Sequence, residues 1–192
     1  KPAVWKILKL FYNKRNASVH LREIARETKM NESSISRHLN NLVKQGVLKA
    51  SKEANLKKFY IVKRQIPNIF PLFDEEKLEN LPLLRRDAIK IYLTRLEKKP
   101  LLVIVFGSTA KETFRKDSDI DILQVNSNKN KDKETVRYVE AQTGLRLQVF
   151  NLTEEQFRKE LKMKEDYVIQ SALTTGFPVF NAKYYYEAIA NE

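Results

Sequence analysis

The chain has no cysteine. That excludes a disulfide scaffold, a thiolate zinc site and a cysteine nucleophile, and it agrees with a reducing compartment. Histidine is nearly absent too, with only His20 and His38 in the sequence. Neither has a second ligand at metal-binding spacing, so His20 reads as a helix-start residue and His38 as a surface or edge residue. No apolar run approaches the roughly 20 residues that cross a bilayer, and no signal-peptide core opens the chain. A cytoplasmic protein without a membrane partner is therefore expected. Glycine is scarce, at four in 192 residues. Each is expected to mark a specific turn.

Charge is abundant, and it is unevenly spread. Lys and Arg total 36 against 24 Asp and Glu, a formal net charge of +12. Residues 1–70 carry 16 basic and 4 acidic residues, whereas 71–192 carry 20 of each. The whole excess lies in the first third. Segregation of this kind points to one module built for a polyanion rather than to general solubility. With 42% hydrophobic residues, the chain can bury a core, and its length suits two small domains.

The spacing predicts a first domain over residues 1–64. Ala3, Val4, Ile7, Leu8, Leu10 and Phe11 follow a helical period, and Leu21, Ile24 and Ala25 mark a second helix to Thr28. After a turn at Lys29–Asn31, Asn31 caps a third helix with Ile35, Leu39, Leu42 and Val43 on one face. Gly46 ends it, and strand-like runs at 47–50 and 58–62 flank a polar loop at 51–56. Trp5 and Phe11 could belong to a homodimer contact or to the core. Three helices followed by a hairpin form a winged helix-turn-helix. The outward residues of the third helix are Asn31, Ser33, Ser34, Ser36, Arg37 and Asn40, with Lys52, Lys57 and Lys58 on the hairpin. These short polar and basic side chains suit base edges and phosphates of double-stranded DNA. The run HLREIARETKMNESSISRHLNNLVKQGVLKASKEANLKKFYIV closely resembles archaeal and bacterial winged-helix regulators, and an archaeal source is expected.

Pro67 and Pro71 stand where the charge balance changes, and residues 65–74 read as a linker with no helical run. The second domain, 75–192, opens with a predicted helix over 75–96. The apolar run Leu101–Phe106 follows, stopped by Gly107, and then come alternating strands and helices. This alternation predicts an α/β domain, so the whole chain is of mixed α+β class with a small mixed sheet.

The informative string is VIVFGSTAKETFRKDSDIDILQV. A buried strand ends at Gly107-Ser108, where backbone can approach a ligand and amides can meet phosphate. Asp119 and Asp121, two apart at a strand start, share a face and can hold Mg²⁺ together with substrate phosphate oxygens. Lys111 lies one turn beyond Ser108 and can neutralise phosphate. The pattern resembles the DNA polymerase beta-like nucleotidyltransferase superfamily, in particular its minimal members. The resemblance implies that Ser108 contacts an NTP triphosphate and that Asp119 and Asp121 are catalytic metal ligands. It also implies transfer of a nucleoside monophosphate to an acceptor hydroxyl.

Two positions depart from that family. The resemblance implies a third acid on a later strand, where Gln148 stands, and a glycine where Glu112 stands. Two readings therefore follow. One is a DNA-binding nucleotidyltransferase using Mg²⁺. The other is a catalytically silent regulator or antitoxin-like protein that binds nucleotide or a helical partner of the HEPN type.

Overall fold

The structure is a computed structural model that describes residues 2–53, 56–128 and 132–190. It divides into two compact units, Lys1–Phe73 and Asp74–Glu192. Among the described residues, no helix is long and apolar enough to cross a membrane.

The first unit is the winged helix-turn-helix. Helices α1 (Ala3–Asn13), α2 (Leu21–Thr28) and α3 (Glu32–Lys44) pack through Ile7, Phe11, Ile24, Ile35 and Leu39, all fully buried. Phe11 is therefore core. Trp5 stacks on Phe73 at 4.6 Å between ring centroids. Asn31 caps α3 by accepting the Ser34 amide at 2.8 Å. Beside the hairpin of β2 (Leu48–Glu53) and β3 (Leu56–Ile61) lies a strand too short to show periodicity, β1 (Val19–His20). The three-stranded antiparallel sheet has the order β1-β3-β2. Both hairpin strands run further than the sequence predicts, and residues 54–55 of the expected loop lie outside the described residues. Asn16, at φ +59°, secures this sheet. Its amide donates to the Ile61 carbonyl at 3.2 Å and accepts from the Ile61 N–H at 2.9 Å. Asparagine tolerates this left-handed backbone better than most residues.

The expected linker is helical. After a 3₁₀ turn at Lys63–Gln65, α4 covers Ile66–Asn80 with Pro71 inside it. Pro67 falls in the first turn, where no N–H partner is needed. Pro71 removes one internal hydrogen bond, but Phe70 and Phe73 each pack on Tyr12 at 5.3 Å between centroids. Aromatic burial of this size outweighs a single lost bond.

The predicted helix over 75–96 is likewise two helices. α4 stops at Asn80, and α5 (Leu83–Arg95) starts after Pro82, which stands at its N-cap. Proline forces the preceding Leu81 out of the helical region. The rest of the second unit follows in order: β4 (Leu102–Phe106), α6 (Gly107–Lys111), β5 (Ile120–Asn126) and α7 (Lys133–Thr143). Then come β6 (Leu147–Thr153), α8 (Glu154–Met163), α9 (Tyr167–Thr175), β7 (Phe177–Phe180) and α10 (Ala182–Ala190).

The sheet order is β6-β5-β4-β7, with β4 antiparallel to both β5 and β7 and β5 parallel to β6. One core gathers Ala88, Ile89 and Tyr92 of α5 with Val103, Val105, Ile120 and Ile122 of the central strands. Gln124 interrupts this apolar set and is fully buried. It accepts from the Tyr92 hydroxyl at 2.6 Å and donates to Asn126 and Asp132. Its amide is thus satisfied, as a buried polar group must be.

Candidate nucleotide site and nucleic-acid face

The geometry around the aspartates begins with Arg85, on the buried stripe of α5 with Ala88, Ile89 and Tyr92. Its guanidinium donates to the Thr109 hydroxyl at 2.9 Å and to the carbonyls of Ser118 at 2.7 Å and Arg115 at 3.0 Å. A longer contact of 3.5 Å reaches the Asp119 carbonyl. The same group lies 4.2 Å over the Phe114 ring. Arg85 thereby ties α6 to the loop that delivers Asp119. Burial pulls the guanidinium below its ordinary pKa, and the charge of Asp119 opposes that pull.

Asp121 pairs with Phe106 across the β4–β5 ladder, which brings its carboxylate against the turn that follows β4. Gly107 there has φ +65°, and an added Cβ would lie 2.0 Å from Asp121 Oδ2. Only glycine fits both the backbone and the space. The Asp121 carboxyl is pushed above its ordinary pKa, first by burial and second by the charge of Asp119. Two carboxylates held together with one desolvated are a natural cation site. Among the described residues, however, no group of three or more His, Cys, Asp or Glu could hold a metal. The pair fits a divalent ion only if further ligands come from elsewhere, and phosphate oxygens are suitable donors.

Strand register shows what stands beside Asp121 on the next strand. Asp121 of β5 pairs with Gln148 of β6 in the parallel ladder, so the two side chains stand side by side on one face. Gln148 is exposed. Glu154 follows the opposite end of β6. At ~3.3 Å per residue it lies on the order of 20 Å from Asp121. It is also engaged by Arg158 and by the Tyr184 hydroxyl.

Ser108 is half-buried in α6, and its carbonyl accepts the Thr113 N–H at 3.0 Å. Helix α6 is five residues long, so any anion there would meet individual amides rather than a developed macrodipole. Lys111 is exposed in its last turn. Glu112 is the C-cap at φ +57°. The glycine that the resemblance implies at this position has a conformational reason. A non-glycine residue there costs about 1 kcal/mol of backbone strain.

On the helix-turn-helix, Ser33, Arg37 and Asn40 are exposed on α3, while Ser34 and Ser36 are half-buried. Asn31 is exposed but partly committed, since its Oδ1 also accepts from the Ser33 hydroxyl at 2.9 Å. On the wing, Lys52 pairs directly with Lys57, and Ser51 with Lys58. Like charges directly opposite across a ladder destabilise the free sheet. A phosphate backbone would relieve that repulsion.

Replacing Gly107 by alanine is expected to cost about 2–3 kcal/mol in the wild-type chain and about 1 kcal/mol in an Asp121→Ala background. The difference measures the carboxylate that the new Cβ displaces. Equal melting shifts in the two backgrounds would show that no such contact exists.

Comparison with known families agrees with these two units. The polymerase beta, nucleotidyltransferase family model matches residues 88–183, half of the chain. The bacterial regulatory protein, arsR family model matches residues 1–50. No curated protein sequence matches the chain. Among solved structures, one similar fold is a toxin-antitoxin crystallised with AMP-PNP, at 18% identity and TM-score 0.42, covering 55% of this chain and 80% of that one. Another is a mutant of the MntA-HpeT toxin-antitoxin, at 14% identity and TM-score 0.38, covering 55% and 84%. The chain belongs to the polymerase beta-type nucleotidyltransferase family and carries a DNA-binding helix-turn-helix ahead of that domain.

Proposed function

We propose that this chain is a DNA-bound regulator whose nucleotidyltransferase site binds a nucleoside triphosphate with Mg²⁺ but transfers it slowly or not at all. The observation that supports this reading is the pairing of Asp121 with an amide, Gln148, rather than with a third acid. An amide cannot accept the proton of an attacking hydroxyl, so ground-state binding is uncoupled from transfer. Asp119 and Asp121 would hold the metal, which when bound supplies charge neutralisation for the triphosphate. Ser108 and Lys111 would engage the phosphates, and the close approach at Gly107 keeps the Asp121 carboxylate in place. A helical partner of the HEPN type, implied by the family resemblance, belongs to the same regulatory proposal.

Transfer itself is the second reading, favoured by the retained Asp119/Asp121 pair. Calorimetry with ATP and Mg²⁺, run beside a labelled-NMP incorporation assay, separates the two. The silent reading expects saturable heat that an Asp119→Ala/Asp121→Ala variant loses, with no incorporation. Absence of heat removes the nucleotide site. Mg²⁺-dependent incorporation that the double variant abolishes would establish the enzyme instead.

For the basic unit, duplex binding should weaken steeply with salt as counterions are released. A Lys52→Ala/Lys57→Ala variant should lower the log–log salt slope by about 2. A flat salt response would contradict the DNA assignment.

A further inference from the structure

Strand β6 lies at the edge of its sheet, and its sequence, LQVFNLT, contains no Lys, Arg, Asp, Glu or Pro. Edges normally carry such residues to prevent pairing with another chain. The backbone pattern shows which groups are open. The Ile120 N–H donates to the Arg146 carbonyl, so in the parallel ladder Gln148, Phe150 and Leu152 direct their N–H and C=O groups toward β5. Leu147, Val149, Asn151 and Thr153 direct theirs outward.

Two of the four outward N–H groups are already satisfied. Leu147 donates to Glu140 Oε1 at 3.0 Å, and Thr153 donates to Gln156 Oε1 at 2.9 Å. Among the described residues, no partner is seen for the outward groups of Val149 and Asn151. The blocked positions lie three residues to either side of Phe150, and the open ones lie one residue to either side. This arrangement is symmetric about Phe150. A foreign strand has no need of that symmetry, but a second copy does.

We propose that β6 pairs antiparallel with β6 of a second copy across a two-fold axis at Phe150, joining two four-stranded sheets into one of eight. Val149 would pair with Asn151 of the second copy and Asn151 with its Val149, giving four backbone hydrogen bonds. The capped N–H groups at 147 and 153 would end the ladder at both limits. The two Phe150 side chains would meet as a non-hydrogen-bonded pair, where cross-strand aromatic contact is closest. Each ring already rests 5.6 Å from Phe106 of its own chain.

The absence of native cysteine makes the test direct. Non-hydrogen-bonded partners stand ~4.5 Å apart at Cα, within disulfide range. A Phe150→Cys chain under mild oxidation is expected to form a linked dimer about tenfold faster, or more, than a Tyr167→Cys control, because pairing raises the effective thiol concentration. Tyr167 is 87% exposed, so its thiol reports random collision. The unaltered chain supplies a second readout, hydrogen exchange at dilute and at high protein concentration. Exchange at Val149 and Asn151 is expected to slow with concentration, while Leu147 and Thr153 stay constant. Equal cross-linking at positions 150 and 167 would overturn the proposal. So would concentration-independent exchange at Val149 and Asn151.

Discussion

A Gln148→Asp substitution is expected to raise Mg²⁺-dependent nucleotidyl transfer by ~10²–10⁴-fold, the usual contribution of a positioned general base. Register gives the reason. Position 148 is the parallel-ladder partner of Asp121, and the new carboxylate would stand beside it. The same substitution has a signature that needs no turnover. Asp121 is already held above its ordinary pKa by burial and by Asp119, and a third carboxylate would raise it further.

The sign follows from linkage. A carboxyl whose pKa is higher folded than unfolded favours the native state only while protonated, and this advantage is lost as pH rises through the folded value. At pH 7 without metal, Gln148→Asp should therefore melt lower. One added like-charge contact, at about 1 kcal/mol, corresponds to ~2–4 °C for a chain of this size. Mg²⁺ should recover that loss, and Gln148→Asn should show neither effect. Should the aspartate variant bind ATP and Mg²⁺ yet transfer no faster than the parent, the absence of a third acid is not what limits transfer.

Loss of Arg85 is expected to be the most destabilising single change in the second unit. Arg85→Ala would leave the Thr109 hydroxyl and the carbonyls of Arg115 and Ser118 without their donor and would open a void over Phe114. Removing one member of a buried, charged hydrogen-bond network costs about 3–5 kcal/mol, or roughly 6–20 °C in Tm here. Arg85→Lys should restore little, because an ammonium cannot span three acceptors as the planar fork does. The variant also tests a positioning role. The Asp119 loop would lose its anchor, so Mg²⁺ should no longer raise the Tm although both aspartates remain. A melting shift within about 2 °C of the parent would end the claim that Arg85 organises this loop.

Local signals made much of this arrangement readable. Helical periods and the Asn31 cap identify the helix-turn-helix. The Gly-Ser turn followed by Asp-Ile-Asp identifies the nucleotidyltransferase motif, because each is a short pattern with its own stereochemistry. Elsewhere the local preference loses to packing. Pro67 and Pro71 argue for a linker, but Phe70 and Phe73 hold the segment helical against Tyr12. The helical period continues across Pro82, which concealed the break between α4 and α5. Arg85 did leave a trace. It occupies the stripe shared by Ala88, Ile89 and Tyr92, and a charged residue at a core-facing helical position is a signal of a buried acceptor set.

The sequence by itself determined which residue types are available and where the charge lies: a basic first third, a Gly-Ser pair after an apolar run, and two aspartates at a strand start. It could not determine what stands beside them. Whether Gln148 occupies the third acid's place depends on the alignment of β5 with β6, and the symmetric open edge depends on which amides that alignment consumes. Both are set by non-local strand pairing, in which a shift of one residue would carry every side chain to the other face. Only the tertiary structure decides that register.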